Sequence, residues 1–174
     1  MKRILPYLFL FLAFSSVNLM FGQDTFSNFE KNKNISSVIV NKKMFEMMAN
    51  VKVEATNVEE KLYFDLIKKL TSLRVFNTKT PDLKKEMLAT VDQYVQAKNL
   101  KELINKKDND SKIIIYIDKA GTNQNISELV MINDSVDPSK ETILVLLTGS
   151  FSLKELSSLT KRMNLPIGNT LDKL

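Results

Sequence analysis

The chain has 174 residues, 25 basic against 20 acidic, is 44% hydrophobic, and contains neither histidine nor cysteine. That composition supplies one ordinary globular core and excludes thiol nucleophiles, histidine general bases, disulfides and the usual zinc ligand sets. A net charge of +5 spread along the chain is a solubility feature, not a nucleic-acid footprint.

Lys2 and Arg3 precede an apolar run from Ile4 to Phe14, followed by Ser15, Ser16, Asn18 and "LMFGQ". This is the layout of a secretory signal peptide over residues 1–22, cleaved after Gly22 to leave Gln23. The run is too short and too interrupted for a stable membrane span. Without cysteine the exported chain carries no lipid anchor of the lipoprotein kind and no disulfide staple. Taking Lys2 and Arg3 from the 25 basic residues leaves 23 against 20 acidic, a mature charge of +3.

Residues 24–34 are polar, with Phe26 and Phe29 spaced for one helical turn against the body. "ISSVIV" at 35–40 is β-branched and reads as the first strand. "VNKKMFEMMANVK" at 40–52 follows directly and holds Met44, Met47 and Met48 at i, i+3 and i+4, one face of a helix. Residues 57–70 are the clearest helix. Asn57 caps it, Glu59 and Glu60 open it, and Val58, Leu62, Tyr63, Leu66, Ile67 and Leu70 form its apolar stripe. "SLRVFNT" at 72–78 reads as a short strand. Thr80-Pro81 opens a further helix whose buried stripe is Leu83, Met87, Leu88, Val91, Tyr94 and Val95. "NLKELINKK" at 99–107 fits either a last helical turn or a strand.

Three apolar runs follow, at 111–118, 126–133 and 141–149, joined by turn-rich links that favour an antiparallel meander. Their near-continuous apolarity implies a sheet covered at least partly on both faces. Ser152 and Glu155 form a capping box for a final helix over 152–163. The expected fold is α+β, a single domain over 23–166 with a largely antiparallel sheet and a loose tail at 167–174. Its helices pack against the sheet in the order β-α-β-α-(β)-β-β-β-α.

"ISSVIVNKKMFEMM", "LTSLRVFNT", "ISELVMIND" and "ILVLLTGSFSLKELSSL", in that order and spacing, resemble a family of small exported Bacteroidota proteins, domain of unknown function 4252. The resemblance runs from about Phe26 to Met163. It implies a periplasmic, secreted or lipoprotein module with no established activity and no catalytic residues to carry over. The chain departs from lipoprotein-type members in lacking the lipidated cysteine. It also has Gly149-Ser150-Phe151-Ser152 where an acidic residue is expected after the glycine.

Local constellations that could carry chemistry are thin. Asp108 and Asp110 begin like a calcium loop, but Ile113 and Lys119 stand where it needs glycine and glutamate. Asp134, Asp137 and Glu141 lie near one another in a segment that reads as turn chemistry. Gly149 before a helix start could expose N–H groups to an anion, though one glycine without a phosphate-loop lysine reads as a close strand–helix turn. Ser150 and Lys154 have Ser-Lys spacing by accident as easily as by design. The methionines carry three readings: core filling, a soft Cu(I) site, or an adaptable apolar surface with Phe45 for a partner. The expectation is an exported non-enzymatic envelope module that binds or scaffolds a protein partner, without cofactor or nucleic acid. Copper handling through Met44, Met47 and Met48 is the alternative, and an unrecognised enzyme using Asp, Glu and Lys is a third.

Overall fold

A computed structural model describes residues 25–51, 55–107, 111–135, 137 and 139–162. The signal segment and its cleavage site, Asp108 and Asp110, and the C-terminal tail lie outside the described residues. The elements in chain order are α1 (Ser27–Lys31), β1 (Ser36–Asn41), α2 (Lys42–Ala49), α3 (Val58–Ile67), β2 (Leu70–Thr78) and α4 (Pro81–Lys98). They continue with β3 (Lys101–Lys107), β4 (Ser111–Ile117), β5 (Ile126–Ser135), β6 (Thr142–Phe151) and α5 (Leu153–Arg162).

The six strands form one sheet in the order β1-β2-β6-β5-β4-β3, antiparallel throughout. The expected α+β fold and C-terminal meander are therefore present, and the undecided segment at 99–107 is the edge strand β3. The stop signal is Asn99, which takes a left-handed conformation (φ 51°) while the Leu100 N–H reaches back to the Val95 carbonyl at 3.0 Å. That six-to-one bond closes the helix and turns the chain into the sheet.

Side chains alternate across the sheet, so the inner strands β2, β6, β5 and β4 each feed two cores. One face carries the row Val75, Val145, Met131 and Ile115, aligned by register and covered by Phe45 of α2, Leu66 and Ile67 of α3, and Leu153 and Leu156 of α5. The other carries Phe76, Leu144 and Ile132 under Met87, Val91 and Tyr94 of α4, with Phe26 and Phe29 alongside. Phe26, Phe29, Phe76 and Tyr94 form an aromatic cluster with ring centroids 5.0–6.3 Å apart. Each such side chain contributes about 1.5–3 kcal/mol on full burial. Helices thus cover both faces, which explains why the meander strands are apolar without alternation.

Two sequence expectations are corrected. The helix at 57–70 ends at Ile67, because Leu70 pairs with Gly149 and begins β2. Leu70 satisfies a helical stripe and a strand row equally well, and the backbone pairing decides. Val58 leaves that stripe: at the first helical position it faces solvent. The caps stand where expected. Asn57 Oδ1 accepts the Glu60 N–H at 2.9 Å, and Ser152 and Glu155 bond reciprocally at 2.9–3.2 Å. Among the described residues no helix is long and apolar enough to cross a membrane.

Candidate docking surface

Asn41 is at once the last residue of β1 and the N-cap of α2, its Oδ1 accepting the Met44 N–H at 3.0 Å. An N-cap needs extended backbone, which a strand end already has, so α2 starts without a linker. Only one α2 side chain is buried: Phe45, 3% exposed, which joins the Leu66, Ile67 and Leu70 core. Once Phe45 points inward, the helical repeat places Met47 nearly opposite it and Met44 and Met48 on the flank between. Met44, Met47 and Met48 are 39%, 56% and 40% exposed. A small crevice of about 160 Å³ remains beneath α2, between Phe45, Ala49, Ile67 and Leu70.

The methionines therefore do not fill the core. The structure separates Phe45 from the set grouped with it in the sequence: it anchors the helix, and the three thioethers form an open face. Val51 extends that apolar exposure beyond the helix end. Sequence periodicity identified the shared face but not its direction. The missed signal is the spacing Phe45–Ala49, whose i, i+4 stripe packs on the core together with Val40.

β1 adds a second exposed feature that sequence reasoning missed. It pairs with β2 on one side over six consecutive residues, from Ser36 opposite Asn77 to Asn41 opposite Ser72, and it is the edge of the sheet. Val38 is 51% and Ile39 37% exposed.

The remaining sequence candidates are accounted for by local structure. Asp134 accepts from the Thr142 hydroxyl at 3.0 Å, Asp137 from the Ser139 N–H and hydroxyl at 2.8 and 2.7 Å, and Glu141 from Asn77 Nδ2 at 2.8 Å. The Ser139 bonds hold the Asp137 carboxyl below its ordinary value. Among the described residues no cluster of three or more carboxylates is placed to hold a metal.

Gly149 lies within β6, where it allows a close approach rather than an anion cradle. A Cβ there would meet the Lys69 carbonyl oxygen at 2.5 Å. The neighbouring N–H groups are occupied, Ser150 by the Lys69 carbonyl and Leu153 by the Asn123 carbonyl. The Ser150 hydroxyl lies 3.5 Å from Asn125 Oδ1, and no hydrogen bond among the described residues joins it to Lys154.

On the opposite face, a cleft of about 280 Å³ opens where α4 ends. Register aligns Ser72, Thr148 and Glu128 across β2, β6 and β5, and Arg74 lies one step along, 3.4 Å from Glu30. The Tyr94 hydroxyl donates to Glu128, and the Lys98 ammonium lies 5.8 Å from the Tyr94 ring centroid. Burial pushes the Tyr94 phenol far above its ordinary value, and the Glu128 carboxylate adds to the shift. Tyr94 thus stays protonated as a donor, which locks the cleft wall and does not create a base. These residues come from five distant segments, so no local pattern could have grouped them.

Fold and surface together define the class: a six-stranded antiparallel α+β domain with one open edge beside an exposed methionine helix. The chain belongs to the family described as Domain of unknown function (DUF4252), whose model matches residues 29–159. No curated protein and no solved structure matches it.

Proposed function

We propose that this chain is an exported, non-enzymatic envelope module that binds a protein partner through the α2 face. The observation that carries the reading is the exposure of Met44, Met47 and Met48 above a buried Phe45. Unbranched, polarisable side chains on an open helix face suit adaptable apolar contact, and leaving three of them in water has no packing rationale within the domain. The N-terminal layout from Lys2 to Gly22 supports export, and the lack of histidine and cysteine, with turn carboxylates engaged locally, supports a binding role over catalysis.

A photo-crosslinking residue at position 47, expressed in the source cell, tests the reading. One discrete adduct from position 47, and none from the exposed position 92 on α4, is expected. Equal labelling from both positions overturns it.

A second reading is favoured by the same exposure, since three accessible thioethers at i, i+3 and i+4 also suit Cu(I). Titration with Cu(I) against a competing chelator separates the two. A metal role predicts binding tighter than the chelator, lost in the Met44→Leu, Met47→Leu, Met48→Leu triple variant.

A further inference from the structure

The two edges of the sheet differ in how they meet water. Four of the seven β3 residues are charged (Lys101, Glu102, Lys106 and Lys107), and its register shifts between Glu102 and Ile104. Charges and bulges are the ordinary means of blunting an edge against further pairing. β1 has neither. Ser36–Asn41 contains no charge, no proline and no register shift, and alternation places Val38 and Ile39 on opposite faces of a strand whose outer side pairs with no other strand among the described residues.

Charge collects just outside this strand. Lys31 and Lys33 precede it, and Lys42 and Lys43 follow it, all exposed. The nearby acids are engaged, Glu30 with Arg74 at 3.4 Å and Glu46 with Lys42 at 3.8 Å. Lys31, Lys33 and Lys43 form no ion pair among the described residues.

We propose that β1 takes up an extended acidic segment of the protein partner as a seventh strand. Its apolar residues lie against Val38 or Ile39, and its carboxylates meet the lysines at either end. The inference rests on the partner-binding reading above and names the partner's chemistry. Backbone pairing supplies the contact area, and the flanking charges select the sequence. A second copy is the wrong occupant. Antiparallel self-pairing sets Lys33 of one β1 against the Lys42–Lys43 end of the other, and parallel pairing in register sets each lysine against its own copy. The lysines that repel another copy attract an acidic strand.

The probes are blocked peptides alternating valine and serine, with two glutamates at each end. One control carries lysines in place of the glutamates, and another is N-methylated at alternate residues. Anisotropy gives affinity, and amide hydrogen exchange locates the contact. The acidic peptide should bind and slow exchange within residues 37–40, with the lysine peptide about tenfold weaker and binding falling as salt rises. The Lys33→Glu, Lys43→Glu double variant should reverse that preference while central-sheet exchange stays as in wild type.

Equal binding of acidic and basic peptides, indifference to N-methylation, or no binding at about 1 mM overturns strand addition. So does concentration-dependent protection of β1 without peptide, which would assign the edge to a second copy. If the position-47 adduct persists while the peptides fail, strand addition falls and the methionine-face reading stands. If the adduct also fails, both fall.

Discussion

The edge strands β1 and β3 close the same sheet and solve the edge problem differently. β3 carries its lysines within the strand and uses one of them structurally: Lys101 Nζ donates to the Gly121 carbonyl at 2.6 Å, tying the strand to the β4–β5 turn. β1 keeps its charges outside the strand and leaves its apolar side chains half in water. A fold needing only stability and solubility would guard both edges. On the proposal above, the lysines at the ends of β1 would repel a second copy while leaving the ladder itself available.

The largest test asks what holds β1 in place. Phe76 lies on β2 opposite Ser37 and is fully buried in the aromatic cluster. Phe76→Ala should cost about 3–5 kcal/mol by chemical denaturation, and exchange should rise in β1 and β2 before β4. Uniform loss across the sheet would show that β1 is no more separable than β3. Next is Gly149→Ala, whose methyl group must displace the Lys69 backbone where β2 begins. It should destabilise by about 2–3 kcal/mol, and an unchanged melting curve would mean this junction yields freely.

A smaller effect concerns the tie between the start of β2 and α5, where Lys69 Nζ lies 2.6 Å from Glu155 Oε1. Burial works to raise the Glu155 carboxyl, but hydrogen bonds from Lys69 and Ser152 outweigh it and hold the group below its ordinary 4.5. A folded value below the unfolded one stabilises at pH above 4.5, and that contribution is lost as pH falls through the folded value. Acid titration of stability should show about 1 kcal/mol of this dependence, limited because Lys69 is half exposed, and Glu155→Gln should remove it.

The smallest stability changes sharpen the edge comparison most. Ile39→Lys and the pair Lys106→Thr, Lys107→Thr should each stay within about 0.5 kcal/mol of wild type per substitution. The β3 pair should self-associate by sedimentation as its guards are lost. Ile39→Lys should stay as soluble as wild type and no longer bind the acidic peptide. A β3 variant that stays monomeric would show that its lysines do not protect that edge.

Much of this organisation was legible from residues whose signals are local. Asn57, Pro81 and the Ser152–Glu155 box mark the helix starts locally, and the β-branched or apolar runs at 36–40, 113–117 and 143–147 are strands by composition. The sequence was ambiguous where one residue serves two patterns. Leu70 fits both α3 and β2, and only pairing with Gly149 resolves it. Asn99 is neutral as a letter and decisive as a left-handed cap. The methionine spacing defined a face without its direction, which is fixed by how Phe45 packs against Leu66 and Ile67. The open edge was invisible because a strand's rank in the sheet depends on the other five.

The joint at Asn41 has one more consequence. Since strand and helix share that residue, no linker separates the β1 ladder from the methionine face. A visiting strand that slipped by one residue would turn its alternate side chains to the opposite face, and whatever followed it would miss Met44, Met47 and Met48. On the proposal above the pair would act as a gauge: the flanking lysines select an acidic strand, and the helix beside the edge selects for one arriving in step.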